Sequence, residues 1–247
     1  MSPVQPSFTI LICARGGSKG VPWKNLLSPH TNSNLYVEIG CRILPDQVSP
    51  SQCIVNTDCE KIESYALEAG FQVFKRPSHL AEDSSRIIDV NLHYLQNSSD
   101  TSEYIINLSP VAPFLKPGTI DKAIAMLGRG DLCGATTSYH HNNSHPFLAL
   151  KDLGSDSSSY ILDDVIRYPR QRRPKTYYPN GCLFFRHRSL IRGDHSTNDL
   201  STDLRQISTE HPESISIDTK ADWDLCRAVA EYMKTDPGCE CNPPQLS

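Results

Sequence analysis

Residues 8–20 have the sequence FTILICARGGSKG and carry the strongest structural signal in the chain. The apolar run 8–14 is too short to cross a membrane and predicts a buried first strand. It opens directly into glycines, where main-chain N–H groups can approach phosphate oxygens without interference from a Cβ atom. Arg15, Lys19 and Lys24 would add charge-assisted hydrogen bonds to a polyphosphate. A plain basic turn is the alternative for this stretch taken alone.

The rest of the chain alternates between short apolar runs and segments with helical spacing. The apolar runs predict strands at 53–57, 71–74, 104–108, 132–138, 147–150, 181–185 and 214–218. The segments with helical spacing are 35–44, 60–69, 86–95, 118–127 and 219–234. Strands that alternate with helices at this spacing predict an α/β fold with a Rossmann-like, mostly parallel sheet flanked by helices.

A single domain over residues 7–234 accounts for these elements, as expected for a chain of 247 residues. Segment 139–180 differs in composition, because it is rich in His, Asn, Ser, Pro and Arg. Residues 235–247 form a Pro-containing tail with Cys239 and Cys241, and we expect this tail to be disordered.

Composition excludes several classes of protein. The formal net charge of −4 argues against non-specific nucleic-acid binding, which needs a basic surface. No run approaches the length of a transmembrane helix, and the N-terminus lacks the features of a signal peptide, so no membrane association is expected. The nine cysteines include no CxxC pair, which disfavours a zinc site and makes a reducing cytoplasm the simplest compartment.

The string ARGGSKGVPWKN at 14–25 matches neither the GxxxxGKS/T loop of ATPases nor the GxGxxG dinucleotide loop. It resembles the loop after the first strand of the acylneuraminate (sialic acid) cytidylyltransferase family, also called CMP-sialic acid synthetases. Further segments similar to that family follow in the same order, at 56–62, 75–84, 178–181 and 217–225. The resemblance covers about residues 8–234 and implies a nucleotide-diphospho-sugar transferase type of fold with a small dimerisation subdomain at 139–180.

The resemblance also implies an enzyme that transfers CMP from CTP to an acidic acceptor, with release of pyrophosphate and with Mg²⁺. Arg15, Lys24 and Asp218 would be catalytic, and Asp218 would bind the magnesium. Nucleotide-binding residues would be Arg15, Gly16, Gly17, Ser18, Lys24, Asn25, Arg76 and Ser84. Three plainer interpretations stay open: Arg76 as a surface arginine, Asp218 as the cap of the last helix, and Asp58 as the cap of helix 60–69.

On the acceptor side, the resemblance implies contacts from Ser109, Arg170, Asn180 and Gly181. In a homodimer, Arg170 would reach the partner's site and bind a carboxylate or phosphonate. The chain departs from the family in two places. Residues 109–115 are SPVAPFL where family members have Gln-Pro-Thr-Ser-Pro-Leu-Arg, and Ser216 stands where they have an aspartate.

Three functions therefore stay open. The first is CMP transfer to a sialic-acid-like nonulosonic acid. The second is transfer to another small acid such as a phosphonate, which the altered segment 109–115 favours because lost hydrogen-bond partners cost on the order of 1 kcal/mol each. The third is a catalytically weakened nucleotide-binding protein, which Ser216 favours and the intact loop at 14–25 disfavours.

Overall fold

The central element of the protein is a seven-stranded sheet. In the computed structural model, the described residues are 6–30, 34–127, 129–139, 145–161, 169–191 and 204–235. The strands are β1 Phe8–Cys13, β2 Cys53–Thr57, β3 Gln72–Lys75, β4 Tyr104–Leu108, β5 Cys133–Tyr139, β8 Tyr177–His187 and β9 Arg205–Ser208, while β6 Leu150–Gly154 and β7 Ser157–Tyr160 form a separate hairpin.

The strand order is β3-β2-β1-β4-β8-β5-β9. All neighbours pair in parallel except β8, which runs antiparallel to both β4 and β5. In the middle of the sheet Ile10 pairs with Cys53 on one side and with Ile106 on the other. The predicted mostly parallel, Rossmann-like sheet is thereby confirmed.

In the described part of the chain, five helices connect or flank these strands: α1 Leu35–Glu38, which continues into a π-helical turn Ile39–Ile43, α2 Glu60–Glu68, α3 Ile87–Asn97, α4 Pro117–Leu127 and α5 Lys220–Thr235. Alternate residues of β1 enter two different cores. Ile10 and Ile12 pack in the larger core with α1, α2 and α4, whereas Leu11 packs with Ile88 and Tyr94 of α3. The sheet is therefore covered by helices on both faces. Among the described helices, none combines the length and the apolar character needed to span a bilayer.

Two of the strand predictions are wrong. Residues 214–218 form no strand: Ser214 lies in a turn, Ile215 and Ile217 pack in a small core with α5, and the Ile217 N–H donates to the carbonyl of Val111 at 2.9 Å. The edge strand of this part of the sheet is β9. Residues 147–150 were expected to be extended, but Pro146–Leu148 form a single helical turn and β6 begins only at Leu150.

Candidate active site

The loop that follows β1 forms one wall of a cleft of about 290 Å³. Because β1, β3 and β4 run in the same direction in the sheet, the segments that follow them meet at the same edge, where α/β proteins bind ligands. The cleft lies among these segments. Residues lining it include Cys13, Arg15, Lys24, Asn25, Arg76 and Ser109.

Asn25 and Gly20 fix the course of the glycine loop. Asn25 is buried, and its side-chain amide donates to the carbonyl of Arg15 at 2.8 Å, so its role is to close the loop on itself. Gly20 lies against the segment before α5, where an added Cβ would be 2.2 Å from the carbonyl oxygen of Asp218. At Gly17 an added Cβ would have no atom within 4 Å, so this part of the loop is open.

Lys24 connects the loop to the segment that precedes α5. Its ammonium donates to the carbonyl of Ile217 at 2.9 Å and to Oδ1 of Asp218 at 2.8 Å. The lysine side chain is only 18% exposed, whereas that of Asp218 is 73% exposed. The structure therefore brings together two of the three residues predicted to be catalytic.

The cap of α5 is Thr219, not Asp218. Oδ2 of Asp222 accepts hydrogen bonds from the N–H of Thr219 at 2.7 Å and from its hydroxyl at 2.8 Å, and the N–H of Asp222 donates to that hydroxyl at 3.2 Å. This arrangement resembles a capping box, in which two helix-end donors are satisfied reciprocally. The capping interpretation of Asp218 is wrong, and its carboxylate is turned to Lys24 instead.

Arg76 is a buried residue of the cleft rather than a surface arginine. Its side chain donates to the carbonyls of Asn56 at 3.0 Å and Leu80 at 3.4 Å, and its Nε has no partner among the described residues. Burial lowers the pKa of the guanidinium, mainly through desolvation. A buried donor without a partner is costly, and this makes Arg76 suitable for binding a polar ligand group.

Two carboxylates that the sequence did not single out as ligands of the loop are part of the site. Asp58 accepts a hydrogen bond from the N–H of Gly16 at 3.1 Å, so the interpretation of Asp58 as the cap of α2 is wrong; Cys59 holds that position. Asp83 lies 2.5 Å from both Arg15 and Lys19. Hydrogen bonds from Lys19 and Arg15 hold the pKa of Asp83 below its ordinary value.

Asn180 and Gly181 lie in a bulge of β8 opposite β5, where the register shifts between Ala135 and Thr137. Gly181 adopts the positive φ of 75° that this bulge requires. The side chain of Asn180 accepts from the Thr136 hydroxyl at 2.6 Å and donates to Ser138 and Thr209 at 3.0 and 2.8 Å. Its hydrogen bonds are directed into the protein, and it positions the bulge.

The remaining predicted site residues have varied positions. Ser109 lines the cleft, and its N–H donates to the carbonyl of Cys182 in the bulge at 2.9 Å. Ser84 is exposed and does not line the cleft, whereas its neighbour Ser85 does. Ser18 is half-buried in the loop. Arg170 lies in the helical turn Arg170–Arg172, but its side chain falls outside the described part of the molecule.

The altered segment 109–115 contributes less to the cleft than expected. Val111 lines it, but Ala112 and Leu115 are buried in the larger core with the central strands. Of the positions that differ from the family, only Ser109 and Val111 line the cleft.

No group of three or more His, Cys, Asp or Glu side chains among the described residues is arranged to hold a metal ion. Asp218 is the exposed carboxylate nearest to the loop lysine, and Ser216 adds no second carboxylate. A metal at this position would need oxygen ligands from a bound substrate and water. Magnesium accepts such a site, because it commonly uses one or two carboxylates together with substrate phosphates.

A glycine loop with three basic side chains, placed at the carboxyl ends of parallel strands, is typical of α/β proteins that bind phosphorylated ligands. The family model that matches residues 9–229 is described as cytidylyltransferase, and the chain belongs to this family. Membership confirms the predicted enzyme class, a nucleotidyltransferase, and the predicted resemblance.

Curated relatives agree with this assignment. The N-acylneuraminate cytidylyltransferase of Streptococcus agalactiae serotype III is 28% identical over 86% of this chain and 51% of its own length. N-acylneuraminate cytidylyltransferase A of Danio rerio is 24% identical over 88% and 49%. The chain thus spans about half the length of these relatives. Post-translational flagellin modification protein B of Campylobacter coli is 26% identical over 87% of this chain and 91% of its own length.

Solved structures show the same fold at low sequence identity. A CMP:2-keto-3-deoxy-manno-octonic acid synthetase in complex with CTP superposes with a TM-score of 0.64 at 16% identity, covering 92% of this chain and 99% of that one. The 4-diphosphocytidyl-2C-methyl-D-erythritol synthase of Anaerococcus prevotii gives a TM-score of 0.59 at 13% identity, covering 92% and 97%.

Proposed function

We propose that this protein transfers CMP from CTP to a small acidic acceptor, with a sialic-acid-like nonulosonic acid as the first candidate, and releases pyrophosphate. The observation that carries the proposal is that Arg15 and Lys24, which follow β1, line one cleft together with the buried Arg76, which follows β3. Relatives named N-acylneuraminate cytidylyltransferase support the choice of acceptor.

In this reaction, the acceptor hydroxyl attacks the α-phosphorus of CTP, and the bond to the β-phosphate oxygen breaks as pyrophosphate leaves. Nucleotidyl transfer depends mainly on in-line positioning and on neutralising the charge of the phosphates. The open main chain at Gly17 and the cations Arg15 and Lys24 provide that neutralisation. Arg76 is buried and lines the cleft, and in this proposal its guanidinium would lie near the cytidine.

Magnesium belongs to this proposal as the cofactor. Asp218 is the residue that would hold it, because its exposed carboxylate offers the hard oxygen ligand that this ion prefers. When bound, the ion would neutralise phosphate charge and act as a Lewis acid. Lys24 already binds Oδ1 of Asp218, so the carboxylate would be shared between a lysine and the ion.

A second acceptor class, such as a phosphonate, is favoured by one observation. Val111 lines the cleft where family members carry a threonine, and an apolar side chain gives no hydrogen bond to a polyhydroxylated sugar. An acceptor with fewer hydroxyl groups would lose less binding free energy at this position, because it would leave fewer hydrogen bonds unmade.

We also propose a cytoplasmic homodimer. Support for the dimer comes from six exposed apolar side chains within the segment 139–180, because exposed apolar surface is typical of protein interfaces. These side chains are Tyr139, Leu150, Leu153, Ile161, Tyr177 and Tyr178.

The test is an acceptor panel of nonulosonic acids, keto-deoxy acids and phosphonates, incubated with CTP and Mg²⁺ and followed by pyrophosphate release. We expect release with at least one acidic acceptor. We expect Lys24→Ala to lower turnover about 100-fold or more, whereas Lys220→Ala should retain it. Lys220 is a matched control, because it forms a similar ion pair with Asp224 at 2.9 Å.

Two outcomes would contradict the proposal. Full activity in Lys24→Ala would remove the role assigned to this lysine. Nucleotide binding without pyrophosphate release for any acceptor would instead indicate the catalytically weakened binding protein.

A further inference from the structure

Carboxylates of the protein itself bind the N–H groups and cationic side chains that the proposed function assigns to the triphosphate. Asp58 accepts the hydrogen bond of the Gly16 N–H, and Asp218 binds the ammonium of Lys24. Asp83 binds two further cations of the loop. Carboxylate and phosphate oxygens compete for the same donors. An incoming polyphosphate therefore meets a site whose donors are already engaged.

Asp83 makes the most extensive of these contacts. Its Oδ1 accepts from Nη2 of Arg15 at 2.5 Å, and its Oδ2 lies 2.5 Å from the ammonium of Lys19. A second guanidinium nitrogen of Arg15 donates to the carbonyl of Ala81 at 3.2 Å. Arg15 and Lys19 follow β1, whereas Ala81 and Asp83 follow β3, so these contacts join two walls of the cleft across the place where phosphates would lie.

We propose that Asp83 is an affinity-determining residue of the nucleotide site, an internal anion that occupies Arg15 and Lys19 until the triphosphate replaces it. This inference rests on the proposed function, because it takes the loop to be the phosphate site. When only a fraction of the molecules has a site ready for ligand, the observed association constant is the intrinsic one multiplied by that fraction. Neutralising Asp83 raises this fraction and tightens the binding of polyphosphates.

The opposite role would have the opposite consequence. If Asp83 held Arg15 in the position needed for binding, neutralising it would release the guanidinium and weaken binding. The side chain of Asp83 is 47% exposed, so Asp83→Asn should fold normally, and a far-UV circular dichroism spectrum checks this. The sign of the change in affinity therefore separates the two roles.

The test is calorimetric titration of inorganic pyrophosphate, without metal, into the unmodified protein and into Asp83→Asn. We expect the dissociation constant to fall about threefold to fivefold, the range open to exposed ion pairs. The matched control is Asp224→Asn, which removes the same charge from another exposed aspartate that is paired with a lysine, Lys220, at 2.9 Å. The control should leave the dissociation constant within about 1.5-fold.

A double-mutant cycle with Lys19→Ala shows whether the effect runs through the direct contact. In that background, the gain from Asp83→Asn should shrink by about half or more. An undiminished gain would mean general repulsion of anions and would overturn the inference, as would unchanged or weaker binding by Asp83→Asn. If the unmodified protein fails to bind pyrophosphate, the phosphate role of the loop is wrong, and the proposed function falls with the inference.

Discussion

Replacing Gly20 by alanine places a methyl group in the contact between the glycine loop and the segment before α5. An added Cβ lies 2.2 Å from the carbonyl oxygen of Asp218 and 3.4 Å from its carbonyl carbon. The obstructing oxygen belongs to the main chain, so no side-chain rotation relieves the overlap. One of the two segments must move by about 1 Å, and overpacking of this kind costs about 1–3 kcal/mol.

The assay is urea unfolding followed by tryptophan fluorescence, without nucleotide. Both tryptophans of the chain, Trp23 and Trp223, lie close in sequence to the two segments in contact, so their emission should report the change directly. We expect Gly20→Ala to lower the free energy of unfolding by about 1–3 kcal/mol. Gly17→Ala is the control in the same loop, because its methyl group meets no atom within 4 Å, and its effect should stay within about 0.5 kcal/mol.

Equal unfolding free energies for the two alanine variants would refute this reasoning. Such a result would mean that the loop and the segment before α5 do not touch in solution. A lower free energy of unfolding in Gly17→Ala alone would also refute it, because Gly17 rather than Gly20 would then be the packed residue.

Two further predictions concern the bulge and the cleft. Asn180→Ala should lower the free energy of unfolding by about 1–3 kcal/mol, because Thr136, Ser138 and Thr209 lose hydrogen-bond partners inside the protein; unchanged urea unfolding would show that the side chain serves a ligand instead. Burial raises the pKa of Cys13 to about 11, so at pH 8 only about one thiol in a thousand is ionised, and iodoacetamide labelling should speed up about tenfold per pH unit up to pH 10. Peptide mass spectrometry measures this rate against exposed Cys41, and fast labelling of Cys13 at pH 7.5 would contradict the prediction.

The sheet could be predicted where a strand is buried on both faces. The run 8–14 is apolar except for Thr9, and β1 lies in the middle of the sheet with both cores packed against it. The edge strand β9 carries only one buried apolar residue, Ile207, so its sequence gives almost no signal. Residues 214–218 alternate like a strand, but the buried side chains pack on α5 instead of joining the sheet.

The cations of the cleft could also be predicted, because glycine and basic residues after a buried strand favour phosphate binding. The carboxylates that pair with these cations could not be predicted. Asp83 meets Arg15 only because the segments after β1 and β3 pack together, a contact across 68 positions that no local spacing indicates. The pattern Thr-x-x-Asp at 219–222 predicts the capping box, and this pattern already indicates that Thr219, not Asp218, is the cap of α5.

The contact of Lys24 with Asp218 joins positions 194 residues apart. A ribosome adding roughly 5–20 residues per second needs about 10 to 40 s to travel between them. During that time the nascent glycine loop exists without the segment that later closes its far side. The contact between the glycine loop and the segment before α5 is therefore among the last to form during synthesis, and a chain stopped before residue 218 would carry the loop without this contact.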